Sequence, residues 1–166
     1  RLGRLGRLMP SHLPEPSAAD RAHVAPAKAP KRMRVALLPG CAQQVLRPAI
    51  NEATLRLLQR RGCEVVVLGD VACCGALVHH MGYADGARQS ARALVAAFER
   101  ASAEERVDAL VVTASGCGVQ VKDLGHLLAD DPDWASRAAA VAARAYDVSE
   151  VLTGLAVGDE QSPSAP

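Results

Sequence analysis

The sequence predicts an α/β protein, Rossmann-like in the broad architectural sense, with a parallel sheet and helices on both of its faces. Two observations predict it. Residues 33–38, 64–68 and 107–113 form short, nearly continuous apolar runs, the pattern of strands buried on both faces. Segments with apolar residues at helical spacing follow each run, and strand–helix alternation of this kind builds parallel sheets with right-handed crossovers.

The elements follow in order. Residues 33–38 (Met-Arg-Val-Ala-Leu-Leu) are stopped by Pro39-Gly40. Residues 45–61 carry Ile50, Ala53, Leu57 and Leu58 at helical spacing, and Gly62 suits the left-handed position just past a helix end. Pro48 fits the first turn of that helix better than its middle. Residues 64–68 are rich in β-branched side chains and give the second strand. Residues 84–105 form an amphipathic helix with Ala91, Leu94, Val95 and Phe98 on one face. The third strand, 107–113, precedes helices expected over 119–128 and 134–144, parted by Asp130-Asp131-Pro132. Ser149 is placed to cap a closing helix over 150–155.

The folded domain is thus expected over residues 32–157. Residues 1–31 hold a repeated Arg-Leu-Gly opening and a Pro/Ala/Ser-rich stretch, which predicts a mobile linker. Residues 158–166 predict a disordered tail. The chain opens on Arg1 with no long apolar run behind it, so a fragment or processed form is expected rather than a secretory signal.

Composition narrows the function. In 166 residues, 19 Lys and Arg balance 18 Asp and Glu, a formal charge of +1 that argues against binding nucleic acid through bulk charge. Aromatic residues make up 2 %, too few for base-stacking platforms. No apolar run approaches a membrane span.

The five cysteines are the informative feature. Cys41 follows the first predicted strand, Cys73 and Cys74 the second, and Cys117 the third. In a parallel sheet these loops share the carboxyl edge, where open α/β sheets place their sites. Cys63 lies just before the second strand, at the opposite edge, and reads as a core thiol. Gly40, Gly75, Gly116 and Gly118 flank the four converging thiols, giving tight turns and free backbone N–H groups near an anionic centre. Gathered thiolates repel unless a metal neutralises them, which points to zinc or iron–sulfur chemistry. The Cys-x-x-Cys clips usual in zinc sites are absent, so the wide spacing fits an iron–sulfur cluster better. An odd thiol count with a large core argues against a disulfide framework.

Cys41, thirty-one intervening residues, and Cys73-Cys74-Gly75 resemble the CCG cysteine-rich domain family. Further blocks carry the resemblance: Leu38-Pro39-Gly40-Cys41-Ala42-Gln43, Ile50-Asn51, His79-His80-Met81-Gly82, Ser115-Gly116-Cys117-Gly118, Val121-Lys122-Asp123, Gly125-His126 and Asp147-Val148-Ser149-Glu150. Gln120 stands where the general pattern has a further cysteine. The match is most similar to glycolate oxidase iron–sulfur subunits, with lactate-oxidising and heterodisulfide reductase-type subunits as the alternatives within the family. The resemblance implies an electron-transfer subunit with a 4Fe–4S-type cluster on Cys41, Cys73, Cys74 and Cys117. It implies a flavin-bearing partner that oxidises glycolate to glyoxylate, a quinone-type acceptor, and a place on the cytoplasmic side, peripheral to a bacterial inner membrane. It also implies a ferredoxin-like region and a second CCG half elsewhere in the same subunit. His79, His80, Lys122 and His126 are candidates to hydrogen-bond beside such a cluster or offset its charge.

Two other classes stay open on the residues alone. The vicinal Cys73-Cys74 pair suits a thiol–disulfide redox protein, since a ring closed by adjacent cysteines is strained and reducible. A metal-free domain that docks a flavoprotein is the other.

Overall fold

The computed structural model describes residues 14–71 and 73–160. A 3₁₀ turn, Ala18–Asp20, leads into β1 (His23–Ala25) and β2 (Met33–Leu37). Then come α1 (Cys41–Leu46), α2 (Ala49–Arg60), β3 (Cys63–Val67), α3 (Ala76–His80) and α4 (Ala84–Ala101). β4 (Ala109–Val112), α5 (Ser115–Lys122), α6 (Leu124–Leu127), α7 (Ala135–Ala142), β5 (Ala145–Asp147) and α8 (Val148–Glu160) complete the order.

The α/β class holds. The five strands are ordered β1-β3-β2-β4-β5, parallel except for β1, which runs antiparallel along β3. Strand alternation divides the core in two. Ala36, Leu38, Leu110 and Val112 pack on one face beneath Leu94, Val95 and Phe98 of α4 and Leu124 of α6. Val35, Leu37, Val65, Val67 and Val111 pack on the other face, against Leu58 of α2 and Val151 and Leu155 of α8. Cys63 lies in this second core, fully buried, as expected of a core thiol.

Several boundaries differ from the expectations. The helix expected over 45–61 is two helices. Arg47, at φ −151° and ψ 62°, leaves the helical region before Pro48, which stands at the N-cap of α2. Gly62 takes the left-handed conformation at φ 82°, as expected. The helix expected over 119–128 starts earlier, at Ser115, and breaks at Asp123. Gly116 and Gly118 therefore sit in a helical first turn rather than in a positive-φ loop.

The linker expected over 1–31 is corrected in part: His23–Ala25 adds an edge strand, with His23 opposite Val67 and Ala25 opposite Val65. α8 likewise runs to Glu160, into the stretch 158–166 expected to be disordered. Residues 1–13 and 161–166, and the rest of those two expectations, lie outside the described residues.

Candidate functional site

The sheet order creates the site. From β2 the chain crosses to β3 on one side, and β4 then enters on the other side of β2. The loops after β2 and β4 thus diverge, leaving a crevice at their carboxyl ends. Cys41 opens α1 directly after β2, and Cys117 lies in the first turn of α5 after β4. Cys73 and Cys74 precede α3, after β3. Gly75, left-handed at φ 87°, makes the turn that curls this pair toward the crevice. An added Cβ there would also meet Ser90 Cβ at 2.9 Å.

All four thiols line one cavity of about 270 Å³. Its wall is mostly apolar, and Gly40, Gln43, Leu77, His80 and Gly116 contribute to it. Cys41 and Cys73 Sγ are 3.5 Å apart. The Gly75 N–H donates to Cys73 Sγ at 3.3 Å. The Ala42 and Ala76 backbone N–H groups pull the Cys41 and Cys74 thiols down, against the larger effects that raise them. Backbone N–H groups at helix starts favour sulfur that carries negative charge.

The thiols perturb one another. Burial, followed by the Cys73 contact, pushes the Cys41 thiol up. Cys74 donates toward Cys117, which raises Cys74 strongly and holds Cys117 below the usual thiol range despite burial. One anionic sulfur is thus accommodated readily and several are not, unless a cation joins them. Among the described residues, no set of three or more His, Cys, Asp or Glu side chains is arranged to hold a single metal ion. Four soft donors spread around a cavity suit a polynuclear iron–sulfur body better than one tetrahedral zinc.

The other expected residues separate. His80 lies on the cavity wall. His79 lies one step back, its Nδ1 3.0 Å from Gln120 Oε1. Lys122 is exposed and paired with Glu150 at 2.8 Å, and His126 is exposed on α6. Neither lines the cavity, and nor does Gly118. Gln43 was not among the expected site residues. Its signal in the sequence is its place two residues after Cys41, at the end of the Leu38–Gln43 block that carries the resemblance.

A mostly parallel α/β sheet with a thiol-lined cavity at its switch point defines a class of cysteine-rich α/β domains. The chain belongs to the CCG cysteine-rich domain family, whose model matches residues 35–122. It is 39 % identical over 153 residues to the probable glycolate oxidase iron-sulfur subunit of Bacillus subtilis (strain 168), covering 90 % of this chain and 34 % of that relative. It is 36 % identical over 157 residues to the glycolate oxidase iron-sulfur subunit of Escherichia coli (strain K12), covering 91 % of this chain and 38 % of that relative. Lactate utilization protein A of Exiguobacterium sp. (strain ATCC BAA-1283 / AT1b) is 33 % identical over 118 residues, 71 % of this chain and 46 % of that relative. The chain therefore spans little more than a third of the length of the first two relatives. No solved structure matches it.

Proposed function

We propose that this chain is the cluster-holding segment of an iron–sulfur electron-transfer subunit of a glycolate-oxidising dehydrogenase. Cys41, Cys73, Cys74 and Cys117 are its ligands, and the cluster is of the 4Fe–4S type. The observation that carries this reading is the convergence of those four thiols on one cavity, with the Gly75 N–H donating to the Cys73 sulfur. When bound, such a cluster supplies one-electron transfer. The chain's own residues hold the sulfurs, donate hydrogen bonds to them and exclude water with an apolar wall, all of which tune a potential. The relatives' names support glycolate as the substrate of the whole enzyme, with a 2-hydroxy acid such as lactate as the alternative.

On this reading the substrate is oxidised on a flavin-bearing partner, and electrons pass through this subunit to a quinone-type acceptor. The subunit works at the cytoplasmic side of the membrane as a peripheral protein. Among the described residues, no helix is long and apolar enough to cross a membrane. Leu77, on the cavity wall, is 62 % exposed, which leaves an apolar contact point for a redox partner.

Anaerobic reconstitution followed by iron and sulfide assay and EPR tests the ligand set. Cys73→Ser and Cys74→Ser should each abolish most of the bound iron and the EPR signal, whereas Cys63→Ser should leave both in place. Full iron and sulfide content in the Cys73→Ser/Cys74→Ser double variant would sink the assignment. A second reading, dithiol–disulfide chemistry, is favoured by the 3.5 Å contact of Cys41 and Cys73. It predicts a two-electron thiol couple in protein that binds no metal.

A further inference from the structure

Beneath the Cys41 turn lies a run of polar side chains that ligation does not use. Asn51, on α2, is fully buried. A buried carboxamide is costly unless its polar atoms are bonded. Asn51 Nδ2 donates to Pro39 O at 2.8 Å and to Asp20 Oδ1 at 2.7 Å. Its Oδ1 accepts from Gln43 Nε2. Gln43 Nε2 also donates to Thr113 Oγ1 at 2.8 Å.

The chemistry of the partners sets the direction of this chain. A carbonyl and a carboxylate oxygen accept hydrogen bonds, so they draw the NH₂ end of Asn51 and turn its oxygen toward Gln43. Gln43 must then answer with its own NH₂ end. The two tied points matter because of their neighbours. Pro39 is two residues before Cys41, and Thr113 directly follows β4, four residues before Cys117. Gln43 itself forms part of the cavity wall.

We propose that Asn51 is a positioning residue for the thiol site. It ties the Cys41 turn to the end of β4 and locks the Gln43 carboxamide in one orientation beside the sulfurs. Asp20 anchors it from the amino-terminal segment. This rests on the four-thiol cavity being the ligand site, yet the lock belongs to the metal-free chain and is testable there.

The probe is the 3.5 Å approach of Cys41 and Cys73. Metal-free, reduced protein is treated with a short bifunctional thiol reagent, and the Cys41–Cys73 bridge is quantified by peptide mapping. Circular dichroism checks the fold of every variant. Asn51→Asp sets an acceptor oxygen against Pro39 O and the Asp20 carboxylate, and should lower the bridging rate about fivefold or more. Asp20→Asn keeps an acceptor oxygen and should bridge like wild type. Asn51→Asp with Asp20→Asn restores a donor–acceptor pair and should recover much of the rate. Gln43→Glu, on the partly exposed face of α1, removes the NH₂ donors without touching the core and should also slow bridging. Wild-type bridging in folded Asn51→Asp or Gln43→Glu protein overturns the proposal, as does a double variant no faster than Asn51→Asp. Failure of the wild-type chain to bind iron would overturn the functional reading and leave this result standing.

Discussion

At the scale of single residues, the same chemical group plays two parts set by its place on the sheet. Cys63 starts β3 at the amino edge and is fully buried among apolar side chains. Burial pushes its thiol up to about 11, with Arg32 pulling weakly the other way. A raised value means that the folded chain holds the proton more tightly than the unfolded one. The contribution is fully present below the unfolded thiol's range and is lost as pH rises through about 11. Its size is roughly 2–3 kcal/mol. At pH 7 the thiol is protonated in both states, so Cys63→Ala should cost only about 1 kcal/mol, through lost packing. Its urea midpoint should fall less steeply than that of wild type between roughly pH 9 and 11. Parallel declines in reduced wild type and variant would remove Cys63 from the account. The division of five thiols into four and one was legible because strand position alone decides which edge a loop occupies. The pairing of His79 with the buried Gln120 was not, since it depends on how α3 and α5 pack.

At the scale of elements, legibility followed how much of each element's signal is local. Pro48 and Gly62 act through their own backbones, and both stand where helix-end chemistry puts them. β5 has only three residues, and Ala145, Tyr146 and Asp147 become a strand by pairing with Leu110, Val111 and Val112 of β4. Missing β5 displaced the cap of α8. The sequence places it at Ser149, whereas the structure places it at Asp147. Asp147 Oδ1 accepts the Ser149 N–H at 2.8 Å, and Glu150 Oε2 accepts the Asp147 N–H at 2.6 Å, a reciprocal capping box. The bonds to Ser149 hold the Asp147 carboxyl below the usual carboxylate range. A depressed value gives stability that is present above the unfolded carboxyl's range and is lost as pH falls through the folded one. Asp147→Ala should cost about 1 kcal/mol near neutral pH. Thermal melts of wild type and variant should converge as the carboxylate is protonated in acid. A pH-independent difference would mean that the cap does not act through the ionised carboxylate.

At the scale of the whole molecule, the amino-terminal segment closes what would otherwise be an open sheet edge. β1 occupies the outer side of β3, and the segment around it is bound to α2 as well. Lys28 N donates to Gln59 O at 2.8 Å, and Gln59 Nε2 donates to Pro26 O at 2.8 Å. Gly69 lets this segment pass, since a Cβ there would lie 2.1 Å from Ala22 N. The proline- and alanine-rich composition hid this role, because β1 has too few residues to show a period and gains its bonds from β3. Without it, Val65, Val66 and Val67 would present unpaired N–H and C=O groups along a β-branched edge, a template for pairing with another copy. Deletion of residues 1–25 should lower the urea midpoint and make sedimentation depend on protein concentration. Gly69→Ala should move the full-length chain the same way, because it displaces the segment without removing it. Deletion also takes away Asp20, so the Cys41–Cys73 bridging rate should drop along with stability. A truncated chain that stays monomeric at the wild-type midpoint would show that the two cores alone hold the sheet, with β1 an ornament to it.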